Sequence, residues 1–298
     1  MQQLPFDDDL GAPVPLRPWG RWIGATVLIL FLAAVIYVFA SSPNVKWSAI
    51  GQYLFSRPIM NGLLMTIRLT AICMAIGIVL GVCAGLMRVS ANPVLNGASW
   101  LYVWFFRATP QLVQVIFWFN ISLFVPQLYL GFAVVDTNTV VTSFVAATLA
   151  LGLNQGAYMA EIVRSGIISV DPGQVSAATA IGMNRSQINR LIVLPQALKV
   201  ILPPAGNEFI SLLKSTSLVS AISARDLLNE AQSIYQQNFL VIELLIVASI
   251  WYMVLTSLAS LGQYFLERYV SGGPVMASDL MARIVQNMAP LSRRMVAR

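Results

Sequence analysis

Long runs of apolar residues recur along this chain of 298 residues. A helix needs about 20 apolar residues to cross the hydrocarbon core of a bilayer. The clearest runs are 22–40, 69–87 with a start near 59, a span within 108–135 that is entered at Trp100, 140–160 and 244–266. A sixth run, 196–213, is more polar and could cross only if its polar groups face protein. The sequence therefore predicts an all-α polytopic membrane protein with six transmembrane helices.

The composition agrees with a membrane protein and excludes several kinds of catalytic site. Charged residues make up 10% of the chain, whereas soluble domains contain about 25%. The chain has no histidine, which excludes histidine-based acid–base catalysis and histidine-ligated metal sites. Both cysteines, Cys73 and Cys83, lie in one apolar run, so no disulfide framework is indicated. We expect no metal site and no cofactor.

Lysine and arginine are distributed unevenly between the two sides that six spans would create. Cytoplasmic flanks of membrane helices are rich in these residues, and most of them, with both termini, fall on one side here. Both termini are therefore predicted to be cytoplasmic, and the net charge of +6 is attributed to cytoplasmic loops and membrane lipid, not to nucleic acid. The predicted segments are a leader 1–21, an accessory span 22–40, an extracytoplasmic loop 41–58, a core 59–268 and a basic cytoplasmic tail 269–298.

A small amphipathic stretch, 171–195, separates two apolar runs and is too polar to cross a membrane. Asp171 can cap a helix that has Pro172 at its first position. Gly182 is typical of a left-handed helix stop, and Asn184 or Ser186 can start a second short helix. The pattern predicts a cytoplasmic helix–glycine–helix segment, which we call the elbow. It could dock another protein, or it could lie among the lipid headgroups as an interfacial helix.

The residues of the elbow resemble a known motif, the EAA loop of ABC importer permeases. Its matching residues are Ala177, Ala178, Gly182, Ile192, Leu194 and Pro195, while Ser176 stands where the family has glutamate. Three flanking segments resemble the branch that imports polar amino acids such as histidine, glutamine and arginine. These segments are "FRATPQLVQ" (106–114), "AYMAEIVRSGI" (157–167) and "LPPAGNEFISLLKSTSLVSAI" (202–222). The resemblance extends from about residue 61 to 268 and leaves the first span and the tail outside it.

This resemblance implies a five-helix type I importer core with one extra N-terminal helix, in the bacterial inner membrane. Such a chain forms half of the pore of an ATP-driven amino-acid importer. Its expected partners are a second permease chain, identical or a sister, two ATPase subunits and an extracytoplasmic amino-acid-binding protein. The sequence has no Gly-Lys dipeptide and hence no P-loop, so it is not predicted to be an enzyme. ATPase coupling is assigned to Gln174, Ser176, Ala177, Ala178, Gly182, Arg185 and Pro195.

Glu208 is the acidic residue that the predicted topology places near the middle of the membrane. It could accept the ammonium group of an amino acid in transit, or it could form a structural pair with Lys199 or Arg68. Arg68 could instead bias the path towards acidic side chains. Pro203 and Pro204 are expected to interrupt the helix and free carbonyl groups. The candidate substrate path contains Asn207, Glu208, Lys214, Ser215, Thr216, Ser217 and Arg68.

A third set of residues is assigned to structure or gating. Gly77, Gly81 and Gly85 form successive GxxxG steps that allow another helix to approach closely. Asn154, Tyr158, Glu161 and Ser165 form one polar stripe on an apolar helix, in which Glu161 and Arg164 are spaced for an intrahelical pair. Arg107 is expected to anchor the start of a span at the cytoplasmic interface.

A secondary, ion-coupled transporter or a channel subunit is the alternative function. Secondary transporters often contain two related halves, and we find no such repeat in this sequence. A membrane enzyme is not favoured, because the sequence lacks H-E-x-x-H and G-x-S-x-G motifs.

Overall fold

The computed structural model describes residues 19–129, 131 and 134–271. The chain is mostly helical, and it divides into two units at residue 46. The first unit contains α1 (Trp19–Ala40), which is apolar on all sides, as a membrane-spanning helix is. The predicted leader, up to residue 18, and the tail from residue 272 lie outside the described residues.

The second unit contains the remaining elements. Its long helices are α3 (Arg57–Arg88), α7 (Ser143–Ile168), α10 (Leu194–Ser215) and α12 (Val241–Ser271). Its shorter helices are α2 (Trp47–Leu54), α4 (Pro93–Ala108), α5 (Gln111–Phe119), α6 (Thr137–Val140), α8 (Pro172–Ala180), α9 (Arg185–Ile188) and α11 (Leu227–Asn238). Among the described residues, α3 and α12 are long and apolar enough to cross a membrane by length and composition.

The helices of the second unit run between two ends of a bundle. Gly77 and Gly85 of α3 contact Gln155 and Val163 of α7, in the same order, so these two helices are parallel. Both run from the end that carries a two-stranded ribbon, the ribbon end, to the end that carries the elbow, the elbow end. α4 and α10 run in the opposite direction.

The third span was predicted to lie within 108–135, with its entry at Trp100, and the observed helices begin earlier than this. The chain enters the bundle earlier, at Pro93, and the helix is broken between α4 and α5 at Thr109 and Pro110. Its far end leads into a short antiparallel ribbon in which β1 (Gln127–Tyr129) pairs with β2 (Val134–Asp136). The prediction of an all-α chain therefore misses one small sheet. The other predicted spans lie within observed helices or shift by a few residues.

The elbow has the predicted local geometry. The Asp171 carboxylate accepts a hydrogen bond from the backbone N–H of Gly173, 2.8 Å away, and caps α8. Gly182 has a φ of +82°, and Met183 N–H donates to the carbonyl of Ala178, which is the bond that closes a Schellman turn. Asn184 then starts α9 with a capping box. From α9 the chain continues through a π-turn, Asn189–Val193, directly into α10.

Buried residues form separate clusters along the bundle. One cluster joins α3, α5 and α7 near the ribbon end and includes Leu69, Val115 and Leu151. Another joins α3, α11 and α12 and includes Ile59, Leu227 and Leu244. A third, around Met159, Val170 and Ile201, joins α7 to α10 at the elbow end. The first and third clusters pack α7 against α3, α5 and α10.

Candidate functional site

The glycine face of α3 packs tightly against α7. A Cβ atom built at Gly77 would lie 2.5 Å from Cγ of Gln155, and one at Gly85 would lie 2.8 Å from Cβ of Val163. At Gly81 the Cβ would overlap Met159. The three glycines assigned to structure or gating therefore lie at one seam where the two helix backbones approach each other closely.

A cavity of about 410 Å³, the central cavity, lies on another side of α7. It lies where α4, α5 and α10 meet the middle of α7. Its lining is mostly polar and consists of Arg107, Ala108, Thr109, Pro110, Gln111, Asn154, Gln155, Tyr158, Glu208, Ser211, Leu212 and Ser215.

The break between α4 and α5 places Arg107 in this cavity. Pro110 has no N–H group, so the carbonyl of Phe106 loses its usual partner four residues on. The side-chain amides of Gln114 and Asn154 donate to that carbonyl at 2.9 and 2.8 Å. The carbonyl group freed by the break therefore has hydrogen-bond donors within the bundle, and the polar backbone at the break faces the central cavity rather than lipid.

Arg107 does not lie at the start of a span, as the sequence suggested. Its guanidinium lies 5.0 Å from the centre of the Tyr158 ring, in a cation–π contact. Arg107 is exposed and lies in the last turn of α4, just before the break at Thr109 and Pro110. Its anchoring at the cytoplasmic interface stays a prediction.

Glu208 lines the same cavity from α10. Arg107 and Gln155 line the cavity beside it and interact with it electrostatically. Among the described residues it has no ion pair within 4 Å, so the structure does not contain the predicted alternative pair with Lys199 or Arg68. The cavity thus brings together one carboxylate, one guanidinium, three side-chain amides and a phenol ring.

α10 is not interrupted by its two prolines, contrary to expectation. The helix continues through Pro203 and Pro204 because neighbouring helices hold it on either side of them. Ile201 packs onto Gly166 of α7, and the side chain of Gln263 from α12 packs against Gly206. Gln263 also donates to the side-chain oxygen of Asn207 at 3.1 Å, so Asn207 contacts α12.

The other candidate path residues are divided among several places. Ser215 lines the central cavity, whereas Thr216 is fully buried and donates to the carbonyl of Leu213. Ser217 donates to the carbonyl of Lys214, which is itself exposed. Arg68 lines a different cavity of about 490 Å³ at the ribbon end, together with Arg225 and Glu230. The sequence-based set therefore does not form one site.

Gln155 is the site residue that the sequence-based assignment missed. It is adjacent to the polar stripe of Asn154 and Tyr158 but falls outside its helical spacing. Its side chain is buried between Gly77 of α3 and the cavity. Asn154 and Tyr158 were visible as a polar stripe, and "FRATPQLVQ" pointed to Arg107, but only the fold brings these segments together.

The elbow residues form a mostly exposed surface at one end of the bundle. Gln174, Ser176, Ala177 and Arg185 are exposed, whereas Ala178 is buried against the bundle. Ile181, at the tip, is 79% exposed. The side-chain amide of Gln196 in α10 donates to the oxygen of Gln174 at 2.6 Å. Pro195 lies in the first turn of α10, so both sides of the elbow connect directly to that helix.

Glu161 and Arg164 form the ion pair that their spacing predicts. Arg164 Nε lies 2.9 Å from Glu161 Oε1, and about a third of each side chain is exposed. The pair lies in the half of α7 that is nearer to the elbow end.

Comparison with known proteins gives the class of this chain. Residues 77–272 match the family described as binding-protein-dependent transport system inner membrane component, and the chain belongs to this family. The arginine transport system permease protein ArgU of Corynebacterium glutamicum is 43% identical over 261 residues, which are 87% of this chain and 83% of that protein. The glutamine transport system permease protein GlnP of Escherichia coli K12 is 31% identical over 223 residues, 74% of this chain and 96% of that protein.

Solved structures show the same architecture. The crystal structure of an amino acid ABC transporter with histidines superimposes with a TM-score of 0.67 at 33% identity, covering 76% of this chain and 99% of that one. The inward-facing methionine transporter MetNI matches with a TM-score of 0.57 at 20% identity, covering 72% and 99%. The fold is that of type I ABC importer permeases. These matches favour an ABC permease subunit over a secondary transporter or a channel.

Proposed function

We propose that the chain is the membrane-spanning permease subunit of an ATP-driven amino-acid importer and that its cargo passes through the central cavity. The observation that carries this proposal is the placement of Glu208 and Arg107 in one polar cavity between α4, α5, α7 and α10. The relatives named for arginine and glutamine transport support an amino acid as cargo.

The cavity matches the charges that all amino acids share. A zwitterion that leaves water needs both of its charges matched, because an unpaired charge in a poorly solvated site costs several kcal/mol. Glu208 would accept the α-ammonium group, and Arg107 would bind the α-carboxylate through two parallel hydrogen bonds. Gln155 and Asn154 would hold these groups in place, while the cargo side chain extends into the remaining space.

The elbow is proposed to dock an ATPase subunit. Its exposed surface is small and apolar at Ala177 and Ile181, which suits a cleft on a partner, and Gln174 and Arg185 can supply polar contacts at its sides. Ser176 offers no charge, so we assign the charged contact to Arg185. A displacement of the docked elbow would reach α10, and therefore Glu208, as a rigid-body movement.

The proposed assembly has six spans in this subunit and both termini in the cytoplasm, so the elbow end faces the ATPase. A second permease chain completes the pore, two ATPase subunits bind at the elbows, and a binding protein delivers cargo at the ribbon end. The segments 22–40, 59–268 and 269–298 keep their predicted roles as accessory span, permease core and cytoplasmic tail.

Replacing Glu208 with Gln tests the cargo site. The variant keeps the shape and hydrogen bonds but removes the charge, so uptake by the reconstituted importer should fall about tenfold or more, the equivalent of at least about 1.4 kcal/mol. Complex yield and basal ATP hydrolysis should persist. Glu267→Gln, which makes the same change outside the cavity, is the matched control. Normal uptake in Glu208→Gln, or rescue of uptake by neutralising Arg68 or Lys199, would show that Glu208 is outside the cargo path.

The docking role of the elbow is tested at Gly182. A β-branched residue is strained at a φ of +82°, so Gly182→Val should assemble but lose most of the ATP hydrolysis that cargo-loaded binding protein stimulates. Gly182→Asn, which tolerates left-handed geometry better, should retain more of it. Equal stimulation in wild type and Gly182→Val would contradict the proposed coupling.

A further inference from the structure

A second cavity of about 420 Å³ borders the central cavity, one turn of α7 nearer to the elbow end. We call it the elbow-side cavity. Arg107, Ala108 and Tyr158 line both cavities, so the Arg107–Tyr158 contact lies at the boundary between them. The rest of its lining comes from the end of α3, from α4 and from α7, and consists of Arg88, Trp100, Val103, Trp104 and Glu161.

The chemistry of the elbow-side cavity repeats that of the central cavity. It has a guanidinium from Arg88 and a carboxylate from Glu161, in addition to the shared Arg107. Trp100 and Trp104 add a stacked aromatic wall, with ring centres 6.0 Å apart and planes 11° from parallel. Such a wall can pack against aliphatic groups or attract a cation. Arg88 can receive the carboxylate of a zwitterion. Glu161, whose Oε1 already pairs with Arg164 Nε at 2.9 Å, can receive the ammonium group through Oε2.

Arg88 is held in a fixed position at the end of α3. Its Nη1 donates to the side-chain oxygen of Asn96, and the Asn96 amide donates back to the Arg88 carbonyl at 2.8 Å. Its Nε is buried and has no acceptor among the described residues. A positioned guanidinium that lines the cavity is suited to bind a carboxylate through its terminal nitrogen atoms, whereas the buried Nε could be reached only if the side chain shifts.

We propose that the elbow-side cavity is a second, transient binding site for the amino acid, occupied between the central cavity and release. This inference rests on the proposed function. When Arg107 moves off the Tyr158 ring, the cargo carboxylate passes from Arg107 to Arg88, and its ammonium passes from Glu208 to Glu161. Each charge keeps a partner during the step, which avoids the cost of an unpaired charge inside the bundle.

A binding site on the release side has a measurable consequence. Amino acid that has accumulated inside the cell can occupy the elbow-side cavity from that side and delay the next transport cycle. Import should therefore slow as the internal concentration of cargo rises, and the concentration that halves the rate should depend on Arg88.

The experiment uses the full importer, with its ATPase subunits, in liposomes preloaded with L-arginine or L-glutamine, whichever it imports. For each variant, uptake with preloading is divided by uptake into empty vesicles. In the wild type, preloading should reduce uptake several-fold. In Arg88→Gln, which can still hydrogen-bond Asn96, the internal concentration that halves uptake should rise about tenfold, as expected for the loss of one charge-assisted contact. Trp104→Leu should raise it by a smaller factor and provides a second variant if Arg88→Gln folds poorly.

Lys199→Gln is the matched control, because it removes a cation at the same end of the bundle but does not line the cavity. It should behave as the wild type. Equal inhibition in wild type, Arg88→Gln and Trp104→Leu would overturn the inference, as would wild-type uptake that is insensitive to preloading. An Arg88 effect that requires phosphatidylglycerol and disappears in phosphatidylcholine vesicles would assign the cavity to a lipid headgroup and would also overturn it. A wild-type complex that imports no amino acid would instead contradict the proposed function itself.

Discussion

The two sides of α7 differ in how closely they pack against the neighbouring helices. Towards α3, it packs Gln155, Met159 and Val163 onto glycines, so the helices meet at backbone distance. Towards α4, α5 and α10, it presents Asn154, Tyr158 and Glu161 to cavities of about 410 and 420 Å³. One side contains no space for an added methyl group, and the other contains space for a small molecule.

This difference shows how a helix bundle can be tightly packed in one region and contain cavities in another. Without a hydrophobic force between helices in lipid, close packing of small residues supplies much of their attraction. The glycine seam provides such packing along the middle of α7, from Gln155 to Val163, so the opposite side can leave polar groups around a void. Mutations on the two sides should therefore affect different quantities: assembly on the α3 side and transport on the cavity side.

The largest effect is expected at the glycine seam. Gly81→Leu places a side chain where Met159 lies, and overpacking of this kind costs about 1–3 kcal/mol or more. The yield of folded complex should fall about tenfold or more, as measured by size-exclusion chromatography of detergent-solubilised membranes. Gly262→Leu is the matched control, because a Cβ at Gly262 would have no neighbour within 4 Å. Equal yields for both variants would mean that the seam does not hold the bundle together.

A smaller and different effect is expected at Gln155, which packs against Gly77 of α3 and also lines the central cavity. Gln155→Met keeps an unbranched chain against Gly77 but removes the amide near Glu208. A hydrogen bond to a charged group contributes about 1.5–3 kcal/mol, so uptake per assembled complex should fall about tenfold while yield stays close to that of the wild type. A drop in yield with normal uptake per complex would place Gln155 in the packing side alone.

The smallest effect is expected at Asp226, a buried polar residue that is distant from both cavities. It caps α11 through the N–H groups of Leu228 and Asn229 and accepts a hydrogen bond from Tyr252. Burial raises the pKa of its carboxyl to about 6, although these hydrogen bonds act in the opposite direction. Its contribution to stability is therefore fully present below a pH of about 4 and is lost as the pH rises through about 6.

Asp226→Asn removes this titration and retains a residue that caps helices. Between pH 5 and 8 the melting temperature of the wild type should therefore fall by about a few degrees more than that of the variant. The KM for uptake should not change. A change in KM with no change in the pH dependence of melting would indicate that buried polar residues affect transport wherever they lie.

Local sequence was sufficient to predict the elbow but not the cavities. The caps at Asp171 and Asn184 and the turn at Gly182 depend on hydrogen bonds within a few residues, so their residue types specify them. The ion pair of Glu161 and Arg164 is local in the same sense. The extended resemblance to permeases likewise predicted the family, because several short motifs occur in the right order.

The errors arose where partners come from distant parts of the chain. Arg107 was expected to begin a span, whereas it lies at the end of α4, before the break. The break is compensated by the Asn154 amide, which is 48 residues from Phe106 and therefore not evident from the local sequence. Pro203 and Pro204 were expected to break α10, but contacts at Gly166 and Gly206 keep it helical.

The π-turn that joins α9 to α10 has a consequence for the direction of Glu208. A π-turn contains more residues than an α-turn, and each residue of an α-helix turns the chain by about 100°. Asn189–Val193 therefore sets the rotational phase of the whole of α10 relative to the elbow. If the same five residues wound as an ordinary α-helix, α10 would turn by about a quarter of a circle relative to the elbow, and the Glu208 carboxylate would point away from Arg107. The direction in which the Glu208 carboxylate points is thus determined by the backbone winding at the start of α10.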